Sequence, residues 1–253
     1  MPSRGAYPDL TGHVACVTGA SAGLGRQAAL ALSRAGASVV AVARRAEALA
    51  TLGEEAPGPI AALPFDLADR DALADLAVQA AAPFGAPDIL VHAAGINTRE
   101  VADAVTPEGW DITLQLNLAV PFFLSQHLVP AMKAKGWGRI VNFASLQSSR
   151  AFPGGLSYGA SKGGIAQLTR AMAEAWSRDG INVNAIGPGF FKTELTEAVF
   201  ADPDRAARNA TQTCIGRNGA LEDLDGPLLF FCSDASAFVT GQVLMVDGGF
   251  TAK

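Results

Sequence analysis

Tyr158 and Lys162 stand four residues apart in the segment YGASK, and on a helix side chains at that spacing lie one above the other on the same face. A phenol with an ordinary pKa of about 10 is a poor proton shuttle near neutrality, and a neighbouring ammonium favours its phenolate. Bringing the phenol to pH 7 takes about 4 kcal/mol of differential stabilisation. Such a pair is also common on exposed helix faces, where it is worth a few tenths of a kcal/mol, so its neighbours decide its meaning. Ser145 follows the apolar run RIVNFA, 13 residues before Tyr158. That places a hydroxyl at the C-terminal edge of a strand, where open parallel sheets bind ligands, ready to donate to a carbonyl oxygen. Asn117, in LQLNLAV, lies inside a helical pattern that its own propensity does little to support, which implies a buried hydrogen bond or a water for its amide.

A second group of residues suits phosphates. In VACVTGASAGLGRQAALALSRAGA, Gly19, Gly23 and Gly25 fall between a β-branched strand and an amphipathic helix. Backbone N–H groups at such a helix start can face a pyrophosphate, and residues without Cβ let it approach. The spacing is GxxxGxG, not the commoner GxGxxG, and tight packing alone would also select glycines here. Roughly twenty residues on, an acidic residue would hold the ribose 2′-hydroxyl of NAD. The chain instead reads VVAVARRAEAL, with Ala43 in that place and the guanidinium groups of Arg44 and Arg45 following. Two adjacent arginines favour the 2′-phosphate of NADP(H), although ordinary solvated charges at a helix start have the same composition, and NAD(H) stays open.

These residues must be positioned by an alternation of short β-branched runs with longer Ala/Leu-rich stretches. HVACVT leads to a helix ending near Arg34, SVVAVA to a helix around Glu47, and the rhythm continues through DILVHA, GRIVNFA and INVNAIG. That is the pattern of βαβ units, and strands so uniformly apolar are covered on both faces, giving an α/β, doubly wound parallel sheet. No repeat, low-complexity tract or long linker divides the 253 residues, so the chain reads as a single domain. Residues 107–135 form the longest helical stretch; Pro121 and Pro130 make it two helices or a kinked one. Residues 193–218 show no strong periodicity and contain Pro203, which suggests a mobile lid over the substrate.

Composition narrows the partners. A net charge of -5, with 19 Lys and Arg in no long run, argues against a phosphate-backbone binder and hence against nucleic acid. Cys16, Cys214 and Cys232 form no CxxC pair and have only three histidines beside them, so no metal site is expected; they read as reduced, buried thiols of a cytoplasmic protein. The opening MPSRGAYPDLTGHV lacks a signal-peptide core, and no run of eighteen apolar residues points to a membrane.

TGASAGLG, Asp66–Leu67, HAAG at 92–95, Asn117, Ser145, YGASK, PGFFKT at 188–193 and the closing VDGG occur in the order seen in short-chain dehydrogenases/reductases. The chain resembles that family along nearly its full length. The resemblance implies a Rossmann fold with a seven-stranded parallel sheet. It implies Tyr158 as proton donor in carbonyl reduction, Lys162 lowering its pKa and binding the nicotinamide ribose, Ser145 orienting the carbonyl, and Asn117 holding a relay water. It further assigns Gly19, Ser21, Gly23, Leu24 and Gly25 to the pyrophosphate turn and Arg44 to the 2′-phosphate. Asp66 and Leu67 fall to the adenine, Ala94 and Gly95 to the cofactor wall, and Pro188, Gly189, Phe191 and Thr193 to the carboxamide side. A homotetramer packed through the helices around 107–135 and 157–178 is part of the same implication.

His92 stands where the family usually has asparagine and is expected to bond a neighbouring strand. Within the family, NFASLQS, PGFFKTEL, Gly216–Arg217 and VDGGF are most similar to sugar-acid and polyol dehydrogenases. A keto-sugar acid would be met by Arg99 and Gln147. A hydrophobic ketone would be met by Phe152, Phe190 and Phe191, and a 3-oxoacyl thioester is a further alternative. GASAG and GASKG fit the nucleophile-elbow pattern, but Ser21 follows the first strand and all three histidines precede Ser161, which disfavours hydrolysis. A noncatalytic cofactor sensor would keep the fold without needing the Tyr158, Lys162, Ser145 and Asn117 set.

Overall fold

The computed structural model describes residues 8–253; part of the N-terminal stretch weighed above as a targeting segment lies outside them. The strands are β1 Val14–Thr18, β2 Ser38–Ala43, β3 Ile60–Pro64, β4 Ile89–His92, β5 Gly138–Phe143, β6 Ile181–Pro188 and β7 Val243–Val246. They form one seven-stranded sheet in the order β3-β2-β1-β4-β5-β6-β7, with every pairing parallel. Helices α1 Gly23–Arg34, α2 Ala46–Glu55, α3 Leu73–Ala81, α4 Pro107–Leu114, α5 Val120–Lys135 and α6 Leu156–Trp176 supply the crossovers. After β6 come α7 Glu197–Phe200, α8 Pro203–Gln212 and α9 Asp225–Phe231.

Successive strand residues point to opposite faces, so β2 sends Val39 and Ala41 into one apolar layer with Leu32, Leu49 and Leu228. Val40 and Val42 enter the other layer with Leu73, Leu124 and Met172. Two cores on one sheet explain why β4, β5 and β6 are buried at every position, as a sheet covered on both faces requires. The chain direction across the sheet reverses between β1 and β4, and ligands bind such sheets beyond the carboxyl ends of the strands at that switch point.

The 107–135 stretch divides at a π-turn, Gln115–Ala119, placed just before Pro121. Proline has no N–H to offer the carbonyl four residues back, which favours a change of hydrogen-bond pattern there. By composition alone Pro107–Lys135 is long and apolar enough to cross a membrane. It is instead a core element, with α5 on α3 and β5 and the π-turn on α6. Residues 193–218 differ from the expectation of an irregular segment: they hold a 3₁₀ turn at Glu194–Thr196 followed by α7 and α8. The Asp202 side chain caps α8 and Pro203 takes its first turn, start signals that establish a helix in a largely polar segment.

Cys16 and Cys232 are buried, and burial pushes both thiols up to about 12. Cys214 is exposed, which corrects the reading of three buried thiols. It follows α8, a helix with no buried residue, so no core reaches it.

Candidate functional site

A cleft of about 700 Å³ runs along the carboxyl ends of the strands. Its walls include the glycine turn, Arg44, Arg45, Asp66, Leu67, Ala94, Gly95, Ser145, Tyr158, Lys162, Pro188, Gly189, Phe191 and Thr193. Arg99 and Gln147 line the same cleft, so every residue expected to meet cofactor or substrate borders one cavity; Asn117 stands just behind its wall.

At one end, Gly19 and Gly23 have φ of 70° and 54°, which side chains with a Cβ rarely adopt. A Cβ on Gly19 would lie 2.7 Å from the Ala94 nitrogen. The helix that follows has Ala22 at its N-cap, makes no side-chain cap bond and has no acidic residue in its first turn. Its first N–H groups therefore face the cleft without an internal acceptor, a fit for the phosphates of a dinucleotide.

At the other end, polar ties dock α6 onto the end of β5. Lys162 Nζ donates to the Phe143 carbonyl at 2.6 Å, Ser148 Oγ donates to the Lys162 carbonyl at 2.6 Å, and Asn142 Nδ2 donates to Thr169 Oγ1 at 3.0 Å. Ser145 begins the turn after β5: its Oγ accepts from Gln147 N at 3.1 Å and its N–H donates to Ser148 Oγ at 3.2 Å. The hydroxyl is thus fixed relative to Tyr158 through Ser148 and the backbone of α6.

Asn117 is in the π-turn, not in plain helix. Its Oδ1 accepts from Ile96 N at 2.9 Å, and its Nδ2 donates to the Ile96 carbonyl at 2.9 Å and to Ser161 Oγ at 3.0 Å. The expected buried bond for its amide is present. Ser161, weighed in the sequence only as a nucleophile, is instead a tie: its Oγ also donates to the Tyr158 carbonyl at 2.7 Å. These bonds set the π-turn against α6.

Electrostatics here depart from expectation. Lys162 Nζ lies 5.6 Å from the Tyr158 ring centre and is hydrogen-bonded elsewhere. Burial raises the Tyr158 pKa above its ordinary value, against smaller opposing pulls from the Ser145 hydroxyl and the Arg99 guanidinium. Burial also lowers Lys162 to about 8. Desolvation penalises the charged form of each group, and in the protein alone it is the largest influence on both. His92 is corrected as well: its Nε2 meets Ser125 Oγ of α5 at 2.9 Å, a helix contact instead of a strand contact, and burial lowers its pKa to about 3.

Arg99 has φ of 55°, alone in this region among the described non-glycine residues. Asn97 Oδ1 accepts its N–H at 3.0 Å, an Asx turn that supports the conformation. Its guanidinium donates to the Leu195 carbonyl. The Glu194–Thr196 turn is gripped from the opposite side as well, because Arg45 pairs with Glu194 at 2.8 Å. Glu194 was missed in the sequence, where no local spacing connects it to a partner 149 residues earlier. Phe152, Phe190 and Phe250 form an aromatic wall with ring centres 5.8–6.4 Å apart. Phe191 is buried, its ring filling the space that a Cβ on Gly219 would need.

A family model described as Enoyl-(Acyl carrier protein) reductase matches residues 19–251. The chain is 42% identical to gluconate 5-dehydrogenase of Gluconobacter oxydans (strain 621H), over 98% of this chain and 99% of that one. It superposes with a TM-score of 0.90 on gluconate 5-dehydrogenase from Burkholderia cenocepacia J2315, solved in complex with NADP and tartrate, at 37% identity over 97% of each chain. A short-chain type dehydrogenase/reductase from Mycobacterium marinum gives a TM-score of 0.89 at 31% identity, covering 97% of this chain and 98% of that one.

Proposed function

The chain belongs to the short-chain dehydrogenase/reductase family, and on that premise we propose that it interconverts a ketone and a secondary alcohol of a sugar acid, of the 5-ketogluconate kind, with NADP(H). The meeting of Tyr158, Ser145 and Lys162 in the cleft that begins at the glycine turn carries this reading. NADP(H), when bound, supplies or accepts the hydride. Gly19, Ser21, Gly23, Leu24 and Gly25 would hold its pyrophosphate, Arg44 and Arg45 its 2′-phosphate, and Asp66 and Leu67 its adenine. Ala94, Gly95 and Lys162 would border the nicotinamide ribose, with Pro188, Gly189, Phe191 and Thr193 on the carboxamide side.

In the reducing direction Tyr158 Oη gives its proton to the carbonyl oxygen while Ser145 Oγ donates a hydrogen bond to the same oxygen. A phenol raised above its ordinary pKa is neutral at pH 7, the form that can donate. Lys162 and the Asn117 turn keep α6 seated against β5, and Lys162 restores the phenol's proton through the relay. Arg99, beside Tyr158 on a fixed Asx turn, suits a substrate carboxylate, and Gln147 suits sugar hydroxyls. The similarity to two gluconate 5-dehydrogenases supports this substrate class.

The Phe152–Phe190–Phe250 wall favours a second reading, a hydrophobic ketone or 3-oxoacyl thioester. An NADPH-oxidation screen of 5-ketogluconate, other keto-sugars and hydrophobic ketones separates the two: the sugar acid should turn over best, and a clear hydrophobic preference would overturn it. A single cytoplasmic domain working as a homotetramer, packed through 107–135 and 157–178, is part of this reading. A light-scattering mass of one chain instead of four would remove the assembly.

A further inference from the structure

Arg45 closes the adenosine end of the cleft with partners on two sides. Its Nε and one terminal nitrogen donate to Ser21 Oγ at 3.3 and 3.1 Å, and its two terminal nitrogens grip both oxygens of Glu194 at 2.8 and 3.0 Å. Ser21, Arg44, Arg45 and Glu194 all line the cleft. The carboxylate therefore takes the planar two-pronged face that a phosphate would use on the same guanidinium. A carboxylate and a phosphate dianion are both acceptors and repel each other, so they cannot share that face. The Glu194 carboxyl is held below its ordinary range chiefly by its bonds to Arg45, so it is an anion at neutral pH.

We propose that Glu194 is a specificity-determining residue of the cofactor site, an internal anion that must leave Arg45 before an adenosine 2′-phosphate can take its guanidinium. The inference rests on the NADP reading above. Glu194 sets the affinity for 2′-phosphorylated nucleotides below what the two arginines alone would give, and it leaves nucleotides lacking that group untouched. Both side chains are more than half exposed, so the handicap is a few-fold, about three- to tenfold.

Calorimetric titration of the full chain with 2′,5′-ADP and with 5′-AMP tests it. The parent should bind 2′,5′-ADP more tightly, and Arg45→Ala should shrink that difference. Glu194→Gln and Glu194→Ala should each tighten 2′,5′-ADP about three- to tenfold and leave 5′-AMP within about twofold. Glu197→Gln makes the same charge change three residues on and should move neither ligand. Unchanged or weaker 2′,5′-ADP binding in the Glu194 variants, an equal gain for 5′-AMP, or the same gain from Glu197→Gln would overturn the proposal while leaving the NADP reading standing. A parent that bound both nucleotides equally would overturn the NADP reading itself, and the competitor with it.

Discussion

Lys162 Nζ donates to the Phe143 carbonyl at 2.6 Å from a buried position on the wall of the cleft. The side chain thus joins α6 to the end of β5 while carrying a charge that its surroundings disfavour. Functional sites often hold such groups at a cost to stability.

Lys162→Met should therefore stabilise the fold while removing activity. The folded pKa, about 8, lies below the ordinary 10.5, so between those values the unfolded chain binds more protons and parent stability rises with pH. Below pH 8 the full penalty of about 3 kcal/mol applies, partly offset by the lost hydrogen bond. Urea denaturation should show the variant about 1–2 kcal/mol more stable at pH 7, with the gap closing by pH 10. A less stable variant, or a gap independent of pH, contradicts the burial argument.

His92 has the same sign of pH dependence in a lower window. Its folded pKa, near 3, is below the ordinary 6.5, so the stability of the neutral buried ring is complete above pH 6.5 and is lost as pH falls toward 3. Between pH 7 and 4.5 the parent should lose about 2–3 kcal/mol more than His92→Asn. Equal acid slopes would mean that the ring is not buried in its neutral form.

Arg99→Gly keeps the left-handed backbone and removes the guanidinium. Fold stability should hold or rise by up to about 1 kcal/mol, while KM for 5-ketogluconate rises at least tenfold and that for an uncharged ketone changes little. Parallel changes for both substrates would remove Arg99 from carboxylate recognition.

Native protein treated with a thiol-exchange reagent should release one equivalent, from Cys214, and three after denaturation, because the Cys16 and Cys232 thiols are buried and held protonated. Three fast-reacting thiols in the native state would contradict the two-layer core around them.

The parallel sheet was legible because its strands are apolar runs covered on both faces, and YGASK was legible because α-helical spacing fixes which side chains meet. The glycine turn could be read for the same local reason: three glycines at a strand-to-helix junction leave few other conformations. Residues acting through distant partners were not legible. Glu194 reaches Arg45 across 149 positions, and His92 finds Ser125 on a helix, both consequences of packing that no local period encodes. The helices at 197–212 were missed because α8 is largely polar and buries nothing, so no apolar stripe marks it. At Tyr158, spacing reports a neighbouring charge but not the burial that, in the protein alone, raises the phenol pKa.

The proton step at Tyr158 is tested most directly by Tyr158→Phe, assayed for NADPH oxidation with the best substrate of the screen and, separately, for NADPH binding by fluorescence. Phenylalanine keeps the ring packing and deletes only the hydroxyl. Turnover should fall by at least a hundredfold with NADPH affinity within about threefold of the parent; a variant retaining near-parent turnover would contradict Tyr158 as the group that exchanges the proton.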